Sequence, residues 1–391
     1  MTADWVIVAG HFHRHGGMDR ANYELAWYLA ESAGRTVLLV GFSVAEPLAS
    51  HARVRWLRVA RPWGKTLLGR WNLWSAGRHA IREVLRANPR ARVVVNGGNC
   101  PGSDINWVHM VHHACPAPPA EVPLPWRWRS RLAQRIARAS ERRCVPASRL
   151  VIANSEMTRR HLAEHLGLEP SRVPVLYLGC DPQEHAPISP AEREQARGAF
   201  GLGRQEVVLG FVGALGWDRN KGFDVLVHAA RRLTDQGMPI RVLAAGGGAL
   251  GYWQRYIAQM GLTGRVQLLG QTSQVRRLLA ACDLVVGPSR YDAYGLALHE
   301  ALCCELPVIV SARAGISERI PPAVWDCVLP DPDDAADLAC RIQLWQARRD
   351  CLGPEFACLG RTLRQQTWHQ TAQEFVALAE RSAPAPHLAA S

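Results

Sequence analysis

Lysine is nearly missing from this chain. Only two of its 46 basic residues, Lys65 and Lys221, are lysines. A chain that uses arginine almost everywhere keeps a lysine where a compact ammonium suits better than a planar guanidinium. Long apolar runs are missing too: none approaches the roughly 18 residues of a membrane span, and the opening MTADWVIVAG lacks a basic n-region and a long apolar core. Neither a spanning helix nor a secretory signal is expected. The eleven cysteines are odd in number and contain no CxxC pair. Cys303 and Cys304 are adjacent, too strained for an ordinary disulfide and unlike metal-ligand spacing. These absences exclude a disulfide scaffold and a zinc ribbon, and lead us to expect a reduced, cytoplasmic chain with buried thiols.

What is present is apolar and basic. With 391 residues and 48% hydrophobic content, the chain can bury the cores of two or three domains. Its net charge of +12 is uneven. Residues 1–190 hold 25 Lys and Arg against 14 Asp and Glu, a surplus of 11, and the remainder is nearly balanced. The N-terminal half therefore expects an anionic partner: a membrane surface, a nucleic acid or a phosphorylated substrate.

Short β-branched runs alternate with helical patterns. The runs at 4–10, 36–42, 91–97, 105–110 and 149–154 are apolar on both faces, as are those at 207–213, 240–246, 266–270, 283–288 and 307–311. Such runs suit parallel strands covered by helices on both sides. Helical patterns fall near 222–233, 250–260, 274–281, 296–304 and 333–347. The reading is α/β, two doubly wound βα units in tandem, with domains at 1–185 and 186–366. Pro182, Pro187 and Pro190 are expected to interrupt regular structure at the joint. A helix at 367–383 is expected to pack back on the first domain, and 384–391 to be a disordered tail.

In such sheets, ligands bind beyond the C-terminal ends of the strands. Four loops there carry candidate chemistry. Gly16 and Gly17 in HRHGGMDRANYELAWYLA open a helix whose first amides suit a phosphate, or make a plain tight turn. Lys221 in FVGALGWDRNKGFDVLVHAARRL precedes a helix N-terminus that already favours anions, or is a solvated loop lysine. In SRYDAYGLALHEAL, Asp292 sits in a strand-to-helix loop. Gly295 and Leu296 offer backbone N–H groups to a diphosphate, and Glu300 lies roughly 7 Å further along the helix, about the offset to an attached ribose. Two histidine clusters, HFHRH at 11–15 and HMVHH at 109–113, follow strands of the first half. A zinc site is one reading of them, although neither contains an acid; one histidine contacting a substrate hydroxyl is the other.

Together, HGGMDRANYELAWYLA, VIANSEMTRRHL, VPVLYLGCDP, FVGALGWDRNKGFDVLVHAARRL and GPSRYDAYGLALHEALCCELPVIVSARAGISE resemble the retaining glycosyltransferases of family 4, over nearly the whole chain and in the right order. The last segment is the most specific, with its paired acids separated by seven residues. The resemblance implies a GT-B fold, two Rossmann-like domains facing a central cleft, and a nucleotide-sugar donor, UDP being the first expectation. Glu300 would hold the ribose and Asp292 the hydroxyls of the transferred sugar. Lys221, Gly16, Gly17, Tyr294, Gly295 and Leu296 would line the diphosphate, and His109 would lie near the donor sugar. The resemblance further implies retention of anomeric configuration, with neither a metal nor another cofactor. Two departures stand out. Aspartate at 292 replaces the family's usual glutamate, and Ala214 stands where the family tends to place an arginine, a charge that Arg219 could supply.

The basic surplus has its own pattern. LPWRWRSRLAQRIARASERR (124–143) holds seven arginines against one glutamate. Arg131, Arg135, Arg138 and Arg142 recur at helical spacing beside Leu132, Ile136 and Ala139, with Trp126 and Trp128 at the entry. A basic amphipathic helix with tryptophans suits an anionic membrane surface, in keeping with a glycolipid or lipid-linked glycan acceptor and a peripheral place on the cytoplasmic membrane face. A second such patch spans 61–86. An ordinary solvated arginine face is the plainer reading. Nucleic acid is not an expected partner, because no stacking module or recognition motif accompanies the charge.

Overall fold

The computed structural model describes residues 2–61, 66–120 and 122–382. Lys65 and the tail 384–391 lie outside the described residues. The chain forms two compact units. One comprises the described residues of Met1–Cys115, Trp128–Gly179 and Trp368–Ser391, the other those of Pro116–Arg127 and Cys180–Thr367.

The first unit contains strands β1 (Trp5–Val8), β2 (His11–Phe12), β3 (Val37–Gly41), β4 (Ser43–Val44), β5 (Val54–Arg58), β6 (Arg92–Val95), β7 (Ile105–Val108) and β8 (Leu150–Ala153). Helices α1 (Gly17–Trp27), α2 (Thr66–Ala87), α3 (Leu124–Cys144) and α4 (Glu156–Leu166) connect them, α3 belonging to this unit from Trp128 on. Six strands form a parallel sheet in the order β5-β3-β1-β6-β7-β8. One face buries Val6, Val8, Leu38 and Val40 against Leu73, Ala80, Ile81 and Val84 of α2. Further along, Val108 and Val151 pack with Leu162 of α4.

Three of these strands were not expected. In the edge strand β5, VRWLR, only Val54 is buried while Arg55 and Arg58 are exposed, so its arginines mask the apolar signal. The two-residue strands β2 and β4 pair only with each other, too short to leave a period in the sequence.

In the long stretch of the second unit, from Cys180 on, the first α-helix is α5 (Pro190–Ala199). Its sheet contains β9 (Val207–Val212), β10 (Ile240–Ala245), β11 (Val266–Gly270), β12 (Leu284–Gly287), β13 (Val308–Ser311) and β14 (Val328–Leu329). Around it run α6 (Phe223–Asp235), α7 (Leu250–Gln259), α8 (Val275–Ala281), α9 (Leu296–Cys303) and α10 (Ala335–Arg364). The sheet is again parallel, in the order β11-β10-β9-β12-β13-β14. In chain order, both main sheets read 3-2-1-4-5-6, the doubly wound Rossmann order, which reverses beside its first strand.

Two expectations about this unit need correction. Pro190 does not interrupt structure: it opens α5 at a position where the missing N–H costs nothing, and Ser189 Oγ caps the helix by accepting from the Glu192 amide at 3.2 Å. The last helix does not stop at 347 but runs to Arg364 through Pro354. Buried Leu352, Phe356, Leu359 and Leu363 hold the turns around the proline in place.

The final helix, α11 (Trp368–Arg381), belongs to the first unit and packs against α1. Phe375 meets the Trp107 ring at 4.9 Å, and His369 meets Tyr28 at the same distance. None of the eleven cysteines forms a disulfide, and not all are buried. Cys340, Cys351 and Cys358 are exposed on α10, whose solvent face they share with its charged residues. No helix among the described residues is long and apolar enough to cross a membrane.

Candidate active site

In the second unit the strand order reverses between β9 and β12, and the loops after these two strands carry Lys221 and Asp292. Lys221 Nζ donates to Asp292 Oδ2 at 2.6 Å, with both side chains about a quarter exposed. Residues 71 apart in sequence thus meet at the point where a doubly wound sheet opens to ligands.

Local backbone chemistry dictates this meeting. Gly222 caps α6 with φ 70°, and a Cβ there would lie 1.9 Å from the Pro288 carbonyl oxygen, so only glycine lets the two loops touch. Asn220 stitches them further: its Nδ2 donates to the Tyr291 carbonyl at 2.8 Å, and its own carbonyl accepts from the Arg290 amide at 2.8 Å. Gly295 caps α9 with φ 96°, and a Cβ there would meet Ile316 Cγ2 at 2.9 Å. The helical ladder begins with the Leu298 and His299 amides on the Gly295 carbonyl, leaving the Leu296 amide ahead of the first helical bond. Two glycine-opened helices therefore direct their N-termini at one switch point, where partial positive charge accumulates.

Glu300 lies on α9, mostly buried, with His185 Nε2 3.8 Å from its Oε1. Arg219 holds a left-handed φ of 51°; its guanidinium donates to Tyr252 Oη at 2.5 Å and lies over that ring. The Tyr294 side chain is buried, and its hydroxyl sits 2.7 Å from His299 Nδ1.

Arg290 and Asp224 brace the site and were not singled out in the sequence. Arg290 forks onto both Asp224 carboxylate oxygens at 2.9 and 2.8 Å, and its Nε reaches Asp333 at 2.7 Å. Burial alone would lower the Arg290 pKa, yet these carboxylates hold it above its ordinary value. The readable signal was Asp224 itself, a charge among the apolar residues of FDVLV.

In the first unit, Gly16 caps α1 and Gly17 begins it. His11 Nδ1 and His13 Nε2 each lie 2.7 Å from Ser43 Oγ, a cluster created by the β2–β4 pair. The second histidine cluster gains an acid that the local sequence lacks. Buried Glu141 of α3 accepts from the His112 amide at 2.6 Å and pairs with His113 Nδ1 at 2.9 Å. Among the described residues, neither cluster brings three ligand atoms together for a metal.

His109 follows β7, buried, with its ring 4.6 Å from that of Trp107. Neither ring nitrogen has a protein partner, which is uncommon for buried polar atoms. Burial pushes its pKa from 6.5 down to about 3. The native state therefore keeps the ring neutral where the unfolded chain takes up a proton. Stability present above pH 6.5 should be lost as pH falls toward 3, at about 1.4 kcal/mol per pH unit from this residue. Guanidinium unfolding between about pH 7.5 and about pH 5 should show a steeper loss for wild type than for His109→Asn. Parallel profiles would contradict the assignment.

On α3, Arg131, Arg135 and Arg142 are exposed, as are Trp128, Leu132 and Ile136. Trp126 is half-buried. Arg138 is not part of the free row: its Nε donates to the His112 carbonyl at 3.1 Å and its Nη2 to the Cys115 carbonyl at 3.2 Å. On α2, Trp71 is exposed and stacks on Trp74 at 5.6 Å.

Two Rossmann-ordered sheets define a GT-B glycosyltransferase architecture. The known structure of WaaG, a glycosyltransferase involved in lipopolysaccharide biosynthesis, shares it with a TM-score of 0.78 at 20% identity, covering 97% of this chain and 100% of that one. Anabaena HepE in complex with UDP-glucose aligns with a TM-score of 0.72 at 19% identity, covering 97% and 100%. Two family models match in succession, Glycosyltransferase Family 4 over residues 15–184 and Glycosyl transferases group 1 over 206–345. The chain belongs to the family 4 glycosyltransferases. Similar curated proteins include the D-inositol 3-phosphate glycosyltransferase of Mycobacterium sp. (strain KMS), 33% identical over 210 residues, covering 51% of this chain and 45% of that protein. That of Rhodococcus erythropolis (strain PR4 / NBRC 100887) is 31% identical over 190 residues, covering 46% and 42%. The chain thus spans less than half the length of the curated relatives it matches.

Proposed function

We propose that this protein transfers a sugar, with retention of configuration, from a nucleoside diphosphate sugar, UDP foremost, to a glycolipid or lipid-linked glycan at the cytoplasmic face of a membrane. The observation that carries the reading is the convergence of Lys221, Asp292 and two glycine-opened helix N-termini at one switch point. Breaking the bond between the anomeric carbon and the diphosphate builds negative charge on the leaving group. Lys221 and the α9 amides are preorganised donors for that charge, so departure needs no metal. Glu300 takes the ribose hydroxyls, Asp292 the sugar hydroxyls, and neutral His109 donates to or accepts from the sugar. Arg219 supplies charge in place of the arginine missing at Ala214. Retention follows if the acceptor attacks on the face that the diphosphate leaves, the phosphate taking the acceptor's proton. Thermal-shift measurements with UDP, GDP and ADP sugars test the donor class; no stabilisation by any of the three would refute it.

For the acceptor, the exposed Trp128, Leu132 and Ile136 beside Arg131, Arg135 and Arg142 support a membrane over a soluble partner, because a soluble anion needs no apolar row. Each basic residue near an anionic surface contributes about 1 kcal/mol. Neutralising Arg131, Arg135 and Arg142 should therefore weaken binding to anionic vesicles about 100-fold, while transfer to a short soluble acceptor analogue persists. Arg138 is left intact because it holds backbone carbonyls. Binding should also fade with salt, as screening acts within about 8 Å at physiological ionic strength. Wild-type protein that ignores anionic vesicles at low salt would shift the reading to a phosphorylated soluble acceptor, the class that the name of the curated relatives indicates for them.

A further inference from the structure

Behind α9, on the far side of its N-terminal site, three side chains converge that the proposed reaction does not use. His299 and Cys303 are four residues apart on one helix, so they project from the same face. Cys180 joins them from the start of the second unit, where its amide bonds the Gln366 carbonyl at 3.0 Å. All three residues are buried, and the Cys180 Sγ, His299 imidazole and Cys303 Sγ ligand atoms lie within 4.8 Å of one another.

We propose that Cys180, His299 and Cys303 bind a thiophilic divalent cation of the zinc type. His299 is fully buried, and its Nε2 has no protein partner. Its other nitrogen, Nδ1, lies 2.7 Å from Tyr294 Oη. A proton on Nδ1 shared with that hydroxyl leaves the Nε2 lone pair for a metal, the arrangement by which ligating histidines are oriented. The Cys180 thiol donates a long contact to the Leu363 carbonyl at 3.9 Å, and lies within 4.8 Å of the Cys303 sulfur. On binding, each thiol loses its proton to solvent, two S–H bonds give way to two metal–sulfur bonds, and no electron changes hands. A divalent ion, two thiolates and a neutral imidazole sum to zero charge, which suits a buried site. A monovalent copper would leave the same site negative. Two sulfurs and one nitrogen match the softness that zinc accepts, and three protein ligands leave its fourth position open. The ion would tie the entering chain at Cys180 to the helix that carries Glu300.

The test uses the full chain, reduced and stripped of metal, with zinc titrated against a chromogenic chelator. One equivalent should bind to wild type and to Cys340→Ser, whose cysteine is exposed. Affinity should fall at least about 100-fold in Cys303→Ser. Should that variant misfold, X-ray absorption on zinc-loaded wild type decides, with two sulfurs and one nitrogen expected in the first shell. Wild type that retains no zinc, a Cys303→Ser chain that binds undiminished, or a Cys180–Cys303 disulfide in non-reducing mass spectrometry of the fresh protein would each overturn the proposal.

Discussion

Lys221→Ala should lower turnover about 100- to 1,000-fold, the range seen when one preorganised donor to a developing anion is removed. The ammonium sits where two helix N-termini converge, so in the proposed reaction its field would act with theirs on the departing diphosphate. Its ion pair with Asp292 at 2.6 Å makes the loss sharper, because the alanine variant leaves a carboxylate facing the same anion. Stability should change little, since both partners remain partly solvated. Lys221→Arg refines the prediction: a guanidinium keeps the charge but not the compact geometry, and should restore only part of the rate. Single-turnover kinetics beside a thermal melt separates the effects. Wild-type turnover in Lys221→Ala would reduce this residue to a loop lysine and remove the main support for the proposed chemistry.

Glu300→Ala should weaken binding of the nucleotide sugar about 10- to 100-fold, from the roughly 1.5–3 kcal/mol carried by hydrogen bonds to a charged group. The helix sets the carboxylate at a fixed rise from the Gly295 cap, so in the proposed reaction one rigid element would hold both diphosphate and ribose. Glu300→Gln should recover part of the affinity, because an amide oxygen still accepts from a hydroxyl. Calorimetry with the donor and with the free nucleoside diphosphate makes the measurement, and the loss should be the same for both, since the ribose is common to them. Loss confined to the intact sugar donor would place Glu300 at the sugar instead.

Much of this was legible in the sequence because it rests on local rules. Strands buried on both faces betray a parallel sheet by composition alone, and β1, β3, β6, β9, β10 and β12 are such strands. A glycine before an apolar-periodic helix marks an opened N-terminus wherever it occurs, as at Gly222 and Gly295. Lys221 stands out because it precedes a glycine-opened helix, and Glu300 because of its rise from Gly295, whereas the role expected of Asp292 came from the family resemblance.

Pairing across the chain was not legible. No local rule connects Lys221 to Asp292, Arg290 to Asp224, or Glu141 to His112 and His113. Each partner lies on a different βα unit, and only the sheet order brings their loops together. Arg138 reads as one more member of an arginine row until packing places two backbone carbonyls against it. The contact between the Tyr294 hydroxyl and His299 likewise depends on how the loop before α9 folds over that helix. The sequence alone determined the α/β class and the doubly wound pattern, because propensity and periodicity act over a few residues. Tertiary structure alone decided which charges neutralise each other, which stay exposed and where Cys180 meets Cys303, because those outcomes depend on distances that close only when the sheets form.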